Sequence, residues 1–170
     1  PSLVPVQART IPYLLAGRDV MIQSRTGSGK TGAYLLPIIQ KINLAKNVAQ
    51  ALVLVPTREL ALQVYRDSQV LAEGTGLKTA VVYGGVGYGP QLEAFRSGAQ
   101  LVVGTPGRIL DHLLKNTLTL DHLRMLIFDE ADRMLSMGFY PDMVKIRKYI
   151  PTGKIASSMF SATFPPQVIR

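Results

Sequence analysis

The chain contains no cysteine, which removes disulfides and thiolate metal sites from consideration. It has two histidines, His112 and His122. Neither has a partner at ligand spacing, so both read as surface or cap residues. No stretch approaches the roughly 20 apolar residues of a membrane-spanning helix. The opening Pro1-Ser2-Leu3-Val4-Pro5 lacks the basic start and apolar run of a signal peptide. A soluble intracellular protein is therefore expected, cytoplasmic or nuclear, and one that begins inside a longer product. Aromatic residues make up only 7% and form no row spaced to stack bases, which argues against a sheet face that reads bases by stacking. Acidic residues are in short supply: 11 Asp+Glu stand against 19 Lys+Arg, a net charge of +8. Such an excess favours encounter with polyanions, phosphate backbones among them, although the basic residues are scattered and form no tail.

What remains is an ordinary globular mixture of 170 residues, 47% apolar and 18% charged, enough for one domain with one core. Short apolar, β-branched runs at 20–23, 51–55, 79–83, 101–103, 125–128 and 155–160 read as strands. Several are apolar at nearly every position, as strands buried on both faces are. Helical periods lie between them. Leu60, Ala61, Val64, Ser68, Leu71 and Ala72 fall on one face of a helix that Thr57 would cap and Gly74 would stop. Ile109, Leu110, Leu113 and Leu114 do the same after Gly107, and Met134, Met137, Phe139 and Met143 read as core or interface filler. This alternation predicts a parallel sheet covered by helices on both sides, with ligands bound beyond the carboxyl ends of the strands. No internal repeat, low-complexity tract or linker divides the chain.

The first strand runs into Ser24-Arg25-Thr26-Gly27-Ser28-Gly29-Lys30-Thr31 and then an apolar helix through Ile42. Glycines let the backbone curl so that N–H groups point at phosphate oxygens, and the helix N-terminus adds partial positive charge there. Lys30 would meet the β- and γ-phosphates and Thr31 would ligate Mg²⁺. As a loop residue, Lys30 is expected to support no core. The general phosphate-loop pattern has glycine where this chain has Ser24. The fifth strand ends in Asp129-Glu130-Ala131-Asp132. An aspartate at that place holds Mg²⁺ through its water shell, and the neighbouring Glu130 is the candidate general base. The bland alternative is an acidic first helical turn favoured by the macrodipole.

Asp129-Glu130-Ala131-Asp132 resembles the signature of the DEAD-box RNA helicases, within helicase superfamily two. Other segments resemble that family's motifs in order. Ser24–Thr31 is similar to motif I, Pro56-Thr57-Arg58-Glu59-Leu60-Ala61 to motif Ia and Gly84-Gly85 to the GG motif. Thr105-Pro106-Gly107-Arg108 is similar to motif Ib and Ser161-Ala162-Thr163 to motif III. Gln7 stands where the Q motif keeps its adenine-reading glutamine, although Leu3-Val4 departs from that motif and its aromatic neighbour would precede Pro1.

The resemblance implies a RecA-like α/β P-loop domain with a mostly parallel sheet, binding ATP and Mg²⁺. It implies that Lys30, Asp129 and Glu130 serve catalysis, with Gln7, Ser24, Arg25, Thr26, Gly27, Ser28, Gly29, Lys30 and Thr31 around the nucleotide. It implies sequence-independent RNA backbone contacts by Pro56, Thr57, Arg58, Gly84, Gly85, Thr105, Pro106, Gly107 and Arg108. Asp132, Ser161 and Thr163 would couple the two ligands, and a second RecA-like domain carrying arginine fingers would lie beyond this chain. Without the resemblance, the glycines at 84–89 read as a mobile turn and Pro106 as a helix starter. A DNA-unwinding motor of the same superfamily and an ATP-gated RNA clamp are the alternatives.

Overall fold

The computed structural model describes residues 2–25, 27–153 and 155–164. Its strands are Val20–Gln23 (β1), Ala51–Leu54 (β2), Thr79–Val82 (β3), Leu101–Gly104 (β4), Met125–Asp129 (β5) and Ala156–Ser161 (β6). Its helices are Pro5–Leu15 (α1), Lys30–Lys41 (α2), Arg58–Leu71 (α3), Gly89–Arg96 (α4), Pro106–Leu114 (α5), Ala131–Ser136 (α6) and Tyr140–Arg147 (α7). The strands form one sheet in the order β1-β6-β5-β2-β4-β3, with every pair parallel.

The sequence explains this order of burial. Ala51-Leu52-Val53-Leu54 and Leu101-Val102-Val103-Gly104 are buried at every position and lie inside the sheet. The edge strands β1 and β3 alternate instead. Because successive side chains point to opposite faces, each inner strand feeds two cores. Leu52, Leu54 and Val102 pack with Ile109 and Leu113 of α5, Met134 of α6 and Ile146 of α7. Ala51, Val53, Leu101 and Val103 pack on the other face with Tyr34, Leu35 and Ile38 of α2 and Ala61 and Val64 of α3. Each fully buried side chain of this size contributes about 1.5–3 kcal/mol, so the strands that carry the site rest on the best-packed part of the molecule.

Several local expectations need adjustment. β1 matches its apolar run, the other five strands begin or end one residue away from theirs, and α2 stops at Lys41 with Ile42 as its cap. The Thr57 hydroxyl caps α3 by accepting from the Leu60 N–H at 3.2 Å. Leu71 and Leu114, placed on apolar helix faces by periodicity, are 41% and 59% exposed because each is the last residue of its helix, where the packed surface has ended. Met134 is fully buried, but Met137 is 48% exposed. His112 is neither a surface residue nor a cap: it is wholly buried in α5. Among the described residues, no helix is long and apolar enough to cross a membrane.

Candidate functional site

The sheet order sorts the chemistry-bearing segments. The carboxyl ends of β1, β6 and β5 are neighbours, so the phosphate loop, Ser161-Ala162-Thr163 and Asp129-Glu130 come together. The ends of β2, β4 and β3 are neighbours in turn, which brings Pro56-Thr57-Arg58, Thr105–Arg108 and Gly84-Gly85 side by side. In the chain these two sets are interleaved.

On the first half, Lys30 opens α2 and is buried. Its Nζ lies 3.0 Å from Asp129 Oδ1 and 3.5 Å from Glu130 Oε1. The expectation that this lysine supports no core is therefore wrong. It neutralises an aspartate that is 0% exposed, and a buried charge without a partner is costly. The Lys30–Asp129 contact is an ion pair without hydrogen-bond alignment, since Oδ1 has no aligned donor. The other carboxylate oxygen accepts from the Tyr34 hydroxyl at 2.8 Å, wholly inside the protein. Burial pushes the Asp129 carboxyl above its ordinary range, against the pull of the Lys30 charge and the Tyr34 hydrogen bond. Burial, reinforced by the Asp129 charge, raises the Tyr34 phenol well above its own ordinary value.

Tyr34 was not among the residues expected at the site. It stands four positions after Lys30, one turn along the same helix face, and that spacing is the signal that would have found it. Its ring packs against Phe160 of β6, with centroids 5.3 Å apart.

Glu130 adopts a left-handed conformation (φ 53°, ψ 52°) at the junction of β5 and α6. A non-glycine residue there costs about 1–2 kcal/mol. The chain turns sharply there, so that α6 starts at once while the Asp129 and Glu130 carboxylates both reach Lys30 Nζ. The Arg133 guanidinium, 3.3 Å from Glu130 Oε2, holds the second oxygen of that carboxylate.

Around the phosphate loop, Ser24 is buried and bonded through its N–H to the Ser161 carbonyl at 3.0 Å. The hydroxyls of Ser24 and Ser28 are buried without hydrogen-bond partners, and so is Asp129 Oδ1 apart from its ion pair with Lys30. Arg25 is exposed, Gly27 has φ 81°, and Thr26 lies outside the described residues. Gly29 has φ 86°, and a Cβ there would meet Val4 Cγ2 at 2.5 Å. Helix α1 thus sits directly on the loop, a second reason for glycine besides the turn. Both ends of the Gln7 amide are engaged: Oε1 accepts from the Val4 N–H at 3.2 Å, and Nε2 donates to the Gly29 carbonyl at 3.2 Å. Thr31, the second residue of α2, is half-buried.

A cleft of about 460 Å³ opens here, lined by Ser24, Lys30, Glu130, Asp132, Ala162 and Thr163, among others. Across it Thr163 Oγ1 donates to Asp132 Oδ2 at 3.0 Å, and the Asp132 N–H donates to Ser161 Oγ at 3.1 Å. Burial opposes ionisation of Asp132, but the hydrogen bonds from Ser161, Thr163 and nearby backbone outweigh it and hold the carboxyl below its ordinary range. The three expected coupling residues are thus in mutual contact. No group of three or more histidine or acidic side chains is placed to hold a metal among the described residues.

This whole arrangement has known counterparts. Residues 4–170 match the family model of the DEAD/DEAH box helicases. The chain belongs to that family. It is 45% identical over 166 residues to the ATP-dependent RNA helicase CshA of Listeria monocytogenes and 48% identical over 167 residues to the ATP-dependent RNA helicase DeaD of Escherichia coli. Each match covers 98% of this chain but only 32% and 26%, respectively, of the relative, so the chain spans about a third or less of these curated relatives. A DEAD box protein from Methanococcus jannaschii superposes with a TM-score of 0.92 at 41% identity, covering 96% of this chain and 45% of that one. A hypothetical ATP-dependent RNA helicase from Sulfolobus tokodaii gives a TM-score of 0.90 at 38% identity, covering 99% of this chain and 49% of that one. The RecA-like fold read from the DEAD-box motifs is therefore the fold observed.

The second half of the DEAD-box domain's edge is less buried. Pro56 is buried, while Arg58 is exposed and lies over the Tyr83 ring, 5.1 Å from its centroid. The Thr57 hydroxyl, expected to face a ligand, accepts from the Leu60 N–H in the α3 cap, which leaves its own hydrogen to donate. Gly84 and Gly85 are exposed, Gly85 with φ 82°. Thr105 and Pro106 are buried at the start of α5, and Gly107 and Arg108 are half-buried behind them. The Arg108 guanidinium rests on the Tyr88 ring, 4.1 Å from its centroid.

Proposed function

We propose that this chain is the ATP-binding and RNA-contacting half of a cytoplasmic ATP-dependent RNA helicase, working with a second RecA-like domain. The observation that supports it is the sorting of motifs along one sheet edge: a phosphate loop facing two acids on β1-β6-β5, and exposed Arg58, Gly84 and Gly85 beside half-buried Arg108 on β2-β4-β3. Two adjacent sites on one rigid sheet are what coupling of a nucleotide to a strand of RNA requires.

In this reading Gln7 exchanges its bond to Gly29 for the adenine edge. Lys30 moves its charge from Asp129 to the β- and γ-phosphates, which the N–H groups of residues 29–31 and the hydroxyls of Ser24 and Ser28 surround. Thr31 and Asp129 hold Mg²⁺, largely through water. The fit rests on Asp129 Oδ1, a buried oxygen without an aligned donor, and on one or two carboxylates being the protein's share of a Mg²⁺–phosphate site. When bound, the ion offsets the charge of the terminal phosphates. Glu130, held by Arg133 at one oxygen, takes the proton of the attacking water with the other. Asp132, Ser161 and Thr163 carry the change to the RNA side. There Pro56, Thr57, Arg58, Gly84, Gly85 and Thr105–Arg108 grip sugar and phosphate, which gives sequence-independent binding. Closure of the second domain supplies arginine to the transition state and bends one RNA strand, opening a short duplex.

The test is steady-state ATP hydrolysis by the full-length protein and by this chain alone, each with saturating single-stranded RNA or DNA. The full-length enzyme should be stimulated by RNA and not by DNA. This chain should be slower by about 10³–10⁵, the worth of a supplied arginine finger. Turnover near 1 s⁻¹ by the chain alone, the bottom of the usual enzyme range, would overturn the two-domain account. Equal stimulation by DNA would overturn the choice of RNA.

A further inference from the structure

Gln91, in α4, is 3% exposed, and its amide has three partners. Nε2 donates to the carbonyl of Tyr83 at 3.0 Å, the residue immediately before Gly84-Gly85. Oε1 accepts from the Arg108 guanidinium at 3.3 Å and lies 2.7 Å from His112 Nε2. Because the NH₂ end of the amide is committed to a carbonyl, Oε1 is the acceptor for both neighbours. The His112 ring then carries its hydrogen on Nε2, and Nδ1 lies 2.8 Å from Thr117 Oγ1, whose single hydrogen is shared between Nδ1 and the His112 carbonyl, 3.1 Å away. The rings of Phe95 and Tyr88 stand edge-on to His112 at 4.9 and 5.3 Å and seal the network from water. A second tie runs in parallel. The Tyr88 hydroxyl bonds to Asp111 of α5, and the same ring carries the Arg108 guanidinium on its face.

The glycine-rich segment is therefore anchored at both ends to one helix, through Tyr83 by Gln91 and through Tyr88 directly. A glutamine needed only to satisfy the Tyr83 carbonyl would have no use for the arginine. Arg108 would otherwise lose rotamer freedom when ordered by a ligand, and the glycines would sample many conformations.

Resting on the RNA reading of this edge, we propose that Gln91 and Tyr88 are positioning residues for RNA binding, which hold the Gly84-Gly85 loop and the Arg108 guanidinium at one fixed separation against the same strand. Neither touches the RNA. They act by removing the ordering cost of the groups that do.

The experiment measures single-stranded RNA affinity of the full-length protein, saturated with a non-hydrolysable ATP analogue, over a salt series. Arg108→Ala should weaken binding and shallow the plot of log K against log salt by about 0.7, the contribution of one phosphate contact on a single strand. Gln91→Met, close in size and without an amide, should lower the slope by the same amount, and Gln91→Met with Arg108→Ala should be no worse than Arg108→Ala alone. A glutamine with a merely structural role would leave the slope unchanged. Affinity for the ATP analogue should stay at the wild-type value and reports that the fold is intact. If Arg108→Ala itself leaves affinity and slope unchanged, the RNA reading of this edge fails. If Arg108→Ala weakens binding while Gln91→Met keeps the wild-type slope, or if the two effects add, the positioning role is wrong and the RNA reading stands. Should Gln91→Met lose the ATP analogue, Tyr88→Leu at its half-buried position carries the test, and a wild-type slope there overturns the proposal.

Discussion

Replacing Tyr34 by phenylalanine removes one oxygen from the centre of the proposed nucleotide site and nothing else. That oxygen donates to Asp129 Oδ2 at 2.8 Å, and neither residue is exposed to solvent. A hydrogen bond to a charged group contributes about 1.5–3 kcal/mol, and a buried acceptor left unsatisfied bears its full desolvation cost. The ring keeps its contact with Phe160, so packing loss is small. The expected destabilisation is therefore about 2 kcal/mol. For a domain of this size each kcal/mol is worth about 2–4 °C in Tm, so the melting point should fall by roughly 4–8 °C. Urea denaturation of Tyr34→Phe, Asp129→Ala and the double variant isolates the interaction. Removing Asp129 also removes the acceptor, so Tyr34→Phe should cost much less in that background, with a coupling energy of about 1–2 kcal/mol. A coupling below about 0.5 kcal/mol, the range of independent sites, would show that the hydroxyl does not support the carboxylate and that the contact has been misjudged.

Two further substitutions separate support, binding and chemistry. Lys30→Ala should abolish most binding of a fluorescent ATP analogue, and it should also destabilise the fold by about 3 kcal/mol, because removing one partner of a buried pair strands the other; unchanged affinity would remove Lys30 from the site, and unchanged stability would refute its role as partner of Asp129. Glu130→Gln in the full-length protein should bind ATP and RNA normally but turn over at least about 100-fold more slowly, the lower end for loss of a general base; near-normal turnover in a steady-state assay would make Glu130 an ordinary helix-start acid.

Much of this was legible along the chain because it depends on local rules. A short apolar run such as Ala51-Leu52-Val53-Leu54, too brief for a helix and with no face that tolerates water, reads as an inner strand. Thr57 before an apolar helical period is a cap wherever the helix lies. The glycines before Lys30 specify a backbone that curls around phosphate whatever surrounds it. The acids of Asp129-Glu130-Ala131-Asp132, and the order of the family motifs around them, needed no coordinates to be read. Periodicity failed where the environment ended, as at Leu71 and Leu114, because a helical pattern carries no information about how far the neighbouring surface extends.

The tertiary structure decided the pairings. Strand order in a parallel sheet is set by crossovers and by the competition of faces for burial, neither of which the sequence of any one strand encodes. That order places residue 30 against residue 129 and separates the Lys30–Asp129 half of the edge from the other half, although their segments alternate in the chain. The same long-range packing makes Lys30 a structural cation, gives Tyr34 a carboxylate to support and commits the Gln7 amide to the phosphate loop. It also takes His112 out of water and into a network with Gln91 and Thr117. A lone polar residue on a helix has many possible partners, and which one it meets depends on what folds against it. Composition and spacing determined the kinds of chemistry this chain carries; the order of six strands determined which of those groups touch.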